Sequence, residues 1–414
     1  MLESFFDDPT IVERLRGNPL GQHLESFAVL LANLGYATSS GRSQLEFLSV
    51  FGRWLEQADI TIADLDEQVI DTFLDERRRR GFSRRHNAST VPRFLEHLRQ
   101  EGIVPYHAPD LDESPLGLLT RRYEKYLREE RGLTTSTVQN YMPFVRWFLK
   151  ERFGDGLLHL RDLKPLDISN FILRYTHSIG PGRARLIPTV FRSFFRFLLQ
   201  HGEIEVDLAA SVPSIPNWRL TTVPKYLTPE EIERMLEACD RSTSTGRRNY
   251  AILLLLVRFG LRAGEVVSLE LDDIDWRAGE ITIRGKGLFH DRLPLPVDVG
   301  EALADYLRHD RPQCQTRRFF IRARAPRRGF TGPGAINTIV RRTLDRAGLD
   351  PPQKGAHLLR HSLATEMLRC GASMMEIGEV LRHRTPNTTE IYAKVDFHGL
   401  RSLALPWPGN GGGR

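Results

Sequence analysis

The stretch LRHRTPNTTEIYAKV, Leu381–Val395, read together with HLLRH at His357–His361, decides how the rest of this chain is understood. Two further fragments lie upstream, GLRAGEV from Gly260 and RGKG from Arg284. Taken singly, each has an ordinary explanation. An arginine at a helix end usually lies at the surface, RGKG makes a hairpin turn, and a tyrosine among helical residues is usually core. The order carries the information: arginine, hairpin lysine, His-x-x-Arg, histidine and tyrosine follow one another within a single unit.

Phosphodiester transfer would need such a set. Its transition state is more negative than its substrate, so preorganised cations must sit on the non-bridging oxygens. Arginine stays charged at all relevant pH and grips phosphate with a planar fork, which favours Arg262 and Arg360 as the clamp. Tyr392 supplies a hydroxyl able to form a covalent adduct. A phenol titrates near 10 and needs a proton acceptor, for which His357 and His383 are the candidates; the sequence does not choose between them. Lys286, between two glycines on a hairpin tip, can protonate the leaving oxygen. Glu265, one helical turn after Arg262, is expected to pair with a clamp residue or orient a histidine.

These fragments resemble the tyrosine recombinase (phage integrase) family over Tyr226–Val395, with all six family positions matched in order. One departure is Arg382, where the family usually has glycine before the histidine; it puts the backbone geometry at His383 in question. The resemblance implies a site-specific DNA recombinase or integrase that cuts and rejoins duplex DNA through a 3′-phosphotyrosine at Tyr392, in integration or excision of a mobile element. It implies double-stranded DNA as partner and a homotetramer on two DNA sites, with related recombinases as further partners. No cofactor and no metal are called for. Type IB topoisomerase-like relaxation and a catalytically silent DNA-binding regulator are the alternatives.

Working outward, the expected fold class is mainly α with a small β-sheet (α+β). Strands are expected around Glu280–Arg284 and Asp291–Pro296, and Ala251–Val257 reads as a core helix. Tyr226-Leu-Thr-Pro-Glu-Glu opens a unit, with Thr228 and Glu231 spaced as a capping box and Pro229 in the first turn. Proline-dense stretches at His107–Pro115, Ser211–Pro224 and from Pro406 read as linkers and a loose end. The expected layout is an extra amino-terminal helical domain (1–108), a domain resembling the family's helical core-binding domain (114–212), a linker (213–224), a catalytic domain (225–400) and a tail (401–414). The first two units look like copies of one design: DLDEQVIDTFL from Asp64 matches DLKPLDISNFI from Asp162, Trp54 matches Trp147, and Phe94–Gly102 matches Phe194–Gly202.

Composition agrees with a polyanionic partner. Net charge is +6, and arginines cluster at Arg77–Arg80, at Arg84 and Arg85, and along Arg317–Arg328. Cys239, Cys314 and Cys370 are the three cysteines, too few and too scattered for a disulfide framework or a cysteine zinc site. No apolar run reaches the roughly 18 residues of a membrane span, and the acidic start MLESFFDDPT lacks a secretory pattern, so a cytoplasmic, non-membrane protein is expected. Gly279–Lys286 superficially suggests a phosphate loop, but Gly287 follows the lysine where Ser or Thr is required. His357 and His361 stand at helical spacing without an HExxH pattern, which disfavours zinc.

Overall fold

The structure, a computed structural model, describes residues 1–81, 89–106, 112–154, 156–215, 224–285, 290–385 and 388–395. Lys286, Arg84, Arg85 and the tail lie outside them. The chain forms two compact units, one comprising Met1–Pro105 with Thr222–Arg414, the other Tyr106–Thr221. As expected, it is mainly helical with one small sheet.

The amino-terminal part of the first unit contains α1 (Pro9–Arg16), α2 (Gly21–Asn33), α3 (Thr38–Gln57), α4 (Glu67–Arg79) and α5 (Thr90–Gln100). Asp66 starts α4 by accepting the Val69 amide at 2.7 Å, the preferred chemistry at a helix start. Phe27, Phe51, Phe73 and Phe94 fill a core of their own. In the second unit follow α6 (Pro115–Lys125), α7 (Thr135–Phe153), α8 (Pro165–Ser178), the single turn α9 (Pro181–Ala184) and α10 (Leu186–Gln200). The matches read from the sequence coincide with matching elements. A 3₁₀ turn, Ile62–Asp64 or Leu160–Asp162, precedes α4 or α8. Trp54 lies 5.3 Å from Phe73 of α4, and Trp147 lies 6.0 Å from Tyr175 of α8. Gly102 and Gly202 follow α5 and α10 with φ of 73° and 70°, the left-handed conformation glycine adopts without penalty.

The remainder of the first unit opens with α11 (Pro229–Glu237) behind the expected capping box: the Glu231 amide donates to Thr228 Oγ1, and the Thr228 amide to the Glu231 carboxylate. The helix α12 (Ser244–Phe259) is buried from Ala251 to Val257 without interruption. Apolar on every face over that stretch, it can only be the centre of a core, and α11, α14 (Val297–His309), α15 (Pro333–Arg346) and α16 (Ala356–Arg369) pack on it. Between α12 and α14 lie the short α13 (Ala263–Ser268) and an antiparallel sheet, β1 (Ile274–Asp275), β2 (Glu280–Arg284) and β3 (His290–Pro294), in that order. Register pairs Arg284 with His290. After α16 come α17 (Met374–Val380) and a 3₁₀ turn, Glu390–Val395.

Gly260 closes α12 at φ 56°, and a Cβ there would stand 2.7 Å from Leu381 Cδ2 and 3.1 Å from Leu363 Cδ2. Gly279 has φ of 67° but open space around it. Gly279→Ala is therefore expected to lose only the backbone cost, about 1–2 kcal/mol, and Gly260→Ala distinctly more through overpacking. Urea unfolding of the two variants checks this; equal losses would mean that Leu381 and Leu363 yield at no cost.

Candidate active site

The end of α12 brings three arginines together. Arg360, on α16 and 4% exposed, donates from Nη1 to the Gly260 carbonyl at 2.5 Å and from Nη2 to the Leu381 carbonyl just after α17. One guanidinium thus ties the ends of two helices to a third. Two residues beyond Gly260, Arg262 precedes α13. Its amide donates to Glu265 Oε2 at 2.9 Å, and its Nη1 to Oε1 at 2.6 Å. Glu265 is buried, whereas the Arg262 side chain is 42% exposed.

The third cation is Arg382. Its φ of 55° is the left-handed conformation that glycine takes freely, and its side chain turns inward, with Nη2 3.1 Å from Glu265 Oε2. Nη1 donates to the carbonyls of Val380 and Phe259. Nε is buried, has no hydrogen-bond partner among the described residues and lies 3.9 Å from Asp291 Oδ2 on β3. In the sequence Arg382 stands out only as a departure from glycine. Nothing in the spacing signals that its guanidinium enters the site.

Three guanidiniums around one carboxylate leave positive charge unneutralised, and the titration of the neighbours reflects it. Burial pushes the Glu265 carboxyl up, but the Arg262 amide, Arg382 and the Arg262 guanidinium hold it below the ordinary range. Burial, then Arg262 and Arg382, lower Arg360 to about 10, so it remains protonated at neutral pH. Burial and then Arg360, Arg262 and Arg382 lower His383 to about 4. His357 also titrates below its ordinary value, through partial loss of water and then Arg360 and Arg262; it is exposed overall, so solvent screens these effects most there. Like charges in a water-poor region disfavour one another's charged forms. The site is short of an anion.

Tyr392 lies in the last 3₁₀ turn, 1% exposed, packed with Ala364, Ile377 and Leu381. Its Oη is 2.9 Å from Nδ1 of His361, with ring centroids 5.6 Å apart. Burial raises the phenol to about 12 against the opposing pull of Arg360. His361 is lowered to about 4 by burial, then by His357 and Arg360. His383 Nδ1 instead meets Thr389 Oγ1 at 2.7 Å. Among the described residues, then, the phenol bonds to neither histidine named from the sequence but to His361, which the sequence reading weighed only as a zinc ligand. Its position four residues after His357, on the same face of α16, was the available signal. Lys286 belongs to the segment between β2 and β3, outside the described residues. Also among the described residues, no group of His, Cys, Asp and Glu is placed to hold a metal ion, and no helix is long and apolar enough to cross a membrane.

Residues 225–398 match the model of the phage integrase family. The chain is 44% identical over 395 residues to the integrase/recombinase y4rA of Sinorhizobium fredii, covering 94% of this chain and 95% of that one. It is 32% identical over 312 residues to tyrosine recombinase XerD of Mycobacterium tuberculosis, covering 71% and 97%. The fold is similar to that of the XerH site-specific recombinase bound to its palindromic difH substrate, with a TM-score of 0.55, 19% identity and coverage of 76% and 93%.

His361 and His383 titrate near 4 in the folded chain against an ordinary 6.5. Between these values the unfolded chain binds protons that the folded chain refuses. Their contribution to stability is therefore complete above pH 6.5, is lost as pH falls, and levels off below about 4. The urea midpoint is expected to drop between about pH 7.5 and about pH 5, with His361→Gln removing part of the slope; a flat profile would show that these rings are not held neutral.

Proposed function

The chain belongs to the phage integrase family and is a tyrosine-type site-specific DNA recombinase; on that premise we propose that it cuts and rejoins duplex DNA through a 3′-phosphotyrosine on Tyr392. The observation that carries this reading is a buried phenol hydrogen-bonded to a neutral imidazole, beside two arginines that share one carboxylate and a third, Arg360, held by main-chain carbonyls. An excess of preorganised cation is what a phosphorane-like transition state requires.

In the proposed reaction Tyr392 Oη attacks the scissile phosphorus, the bond to the 5′ oxygen breaks, and a free 5′-hydroxyl leaves. Arg262 and Arg360 hold the non-bridging oxygens. In the tautomer protonated on Nε2, His361 accepts the phenol proton at Nδ1, its partner at rest; His357 and His383 stand as the further histidines of the site. Lys286 gives a proton to the leaving oxygen. Attack by the 5′-hydroxyl of a partner strand reverses the step with the bond energy conserved, so no nucleotide is consumed.

Arg382 gives this scheme a physical basis in the resting site. When Arg262 turns from Glu265 to phosphate, Arg382 stays against the carboxylate, and no buried charge is left bare. Pairing four protomers on two duplexes, and integration or excision of a mobile element, complete the proposal. Duplex DNA as the partner is supported by the fold shared with recombinases solved on DNA, among them lambda integrase on its COC′ core site (TM-score 0.51, 21% identity, 66% of this chain and 94% of that one).

Nicked duplexes carrying candidate attachment sites from DNA flanking the gene, resolved on a denaturing gel, test the chemistry. A covalent adduct is expected with the wild type, without ATP, and none with Tyr392→Phe. Tight binding with no adduct would favour a silent regulator, and relaxation without joining of two sites would favour a topoisomerase. Arg382→Gly keeps a residue suited to positive φ but removes the second partner of Glu265. Cleavage, measured where the variant remains folded, is expected to slow by roughly 10- to 100-fold, the equivalent of one charge-assisted hydrogen bond, and the urea midpoint to fall as the Phe259 and Val380 carbonyls lose their donor; an unaltered rate would dismiss this role of Arg382.

A further inference from the structure

The arginine stretch Arg317–Arg328 divides into two sets. Arg317 pairs with Asp272, and Arg318 with Glu270. Arg322, Arg324, Arg327 and Arg328 make no ion pair with any carboxylate among the described residues, and all four line a cleft of about 900 Å³ within the first unit. The opposite wall comes from the amino-terminal helices: Arg93, the hydroxyls of Ser39, Ser40, Ser43 and Ser89, and the start of α3, where Ala37 offers no side-chain cap. Among the described residues, no acidic side chain lines the cleft.

The arginines gather there because backbone, not side chains, holds their loop. The Arg327 amide donates to the Leu34 carbonyl at 2.8 Å, and the Arg322 amide to the Arg328 carbonyl at 3.0 Å. Both backbone groups of Ile321, at the loop's root, are taken: its carbonyl by the buried Arg248 at 2.9 Å and its amide by Tyr306 Oη at 3.1 Å. Gly35, at φ 73°, lets the Arg327 side chain lie where a Cβ would collide with it. Four arginines thus line one cleft without an ion-pair partner among the described residues, a concentration of positive charge that favours an anion.

We infer that this cleft binds the phosphate backbone of duplex DNA outside the segment that is cut, which rests on the recombinase reading above. Cations and hydroxyls on two walls suit a run of phosphates. A free nucleotide would need a surface for its base, and Tyr36, the aromatic residue of the lining, is already covered by Arg93, whose guanidinium lies 5.1 Å from its centroid.

The test is binding of the full-length chain to a duplex of about 40 base pairs at several salt concentrations, because each phosphate contact contributes about 0.9 to the slope of log affinity against log salt. Replacing Arg324, Arg327 and Arg328 together by alanine is expected to lower the slope by about 2 to 3. Replacing the same three by lysine should preserve most of it. Ser39→Asp with Ser43→Asp, which alters only the opposite wall, should weaken binding without touching an arginine. An unchanged slope in the alanine variant, or unchanged binding in the aspartate variant, overturns the cleft while the wild-type adduct on the nicked attachment-site duplex still stands. Absence of that adduct in the wild type counts against the recombinase reading itself. Inorganic tripolyphosphate binding to the wild type but not to the alanine variant, while leaving duplex binding by the wild type unchanged at concentrations too low to screen charge, would assign the cleft to a small polyanion instead.

Discussion

Glu265 is the one buried carboxylate against which Arg262 and Arg382 are both held, while Arg360 stands close enough to feel all three. Burying guanidinium groups is costly unless each finds acceptors. Arg360 finds them in the main-chain carbonyls of Gly260 and Leu381, so the electrostatics of the site and the junction of α12, α16 and α17 are one set of bonds. Gly260 has to be left-handed to offer its carbonyl there, and Leu381 has to close α17 where it does. A change that disturbs either helix end therefore reaches the chemistry, and one that removes the chemistry loosens the helices.

The same arrangement governs Tyr392, the nucleophile of the proposed reaction. Tyr392 sits among apolar side chains with its hydroxyl on His361, and burial keeps the phenol protonated far above neutral pH. Burial, then neighbouring positive charge, keeps His361 and His383 neutral. In the proposed reaction, phenol and imidazole thus start in the forms that a single transfer between them needs.

Much of this was legible in the sequence because it depends on local rules. An uninterrupted apolar run had to become the central helix, a capping box had to open α11, and glycines at Gly102 and Gly202 had to stop their helices. Spacing along the chain also carried the alignment of Arg262, Glu265, His357, Arg360, His383 and Tyr392 with a known pattern. What spacing does not carry is the direction of a side chain. Arg382 points inward because a positive φ turns its Cα–Cβ bond toward Glu265, and His361 rather than His357 meets the phenol because the final 3₁₀ turn lies over that part of α16. Likewise Arg317 and Arg322 look equivalent in a basic run, yet only the first lies within reach of an aspartate that is distant in sequence.

The backbone anchoring of the loop rooted at Ile321 has an evolutionary consequence. Since Arg248, Tyr306 and the Leu34 carbonyl grip main-chain atoms, the loop's shape is insulated from the identity of most of its side chains. Substitutions at positions 322, 324 and 328 can accumulate with little folding penalty, so lineages are free to raise or lower basic character there. Gly35 and Arg327 are the exception, packed too closely to drift independently, and in diverging relatives they should change as a pair or not at all.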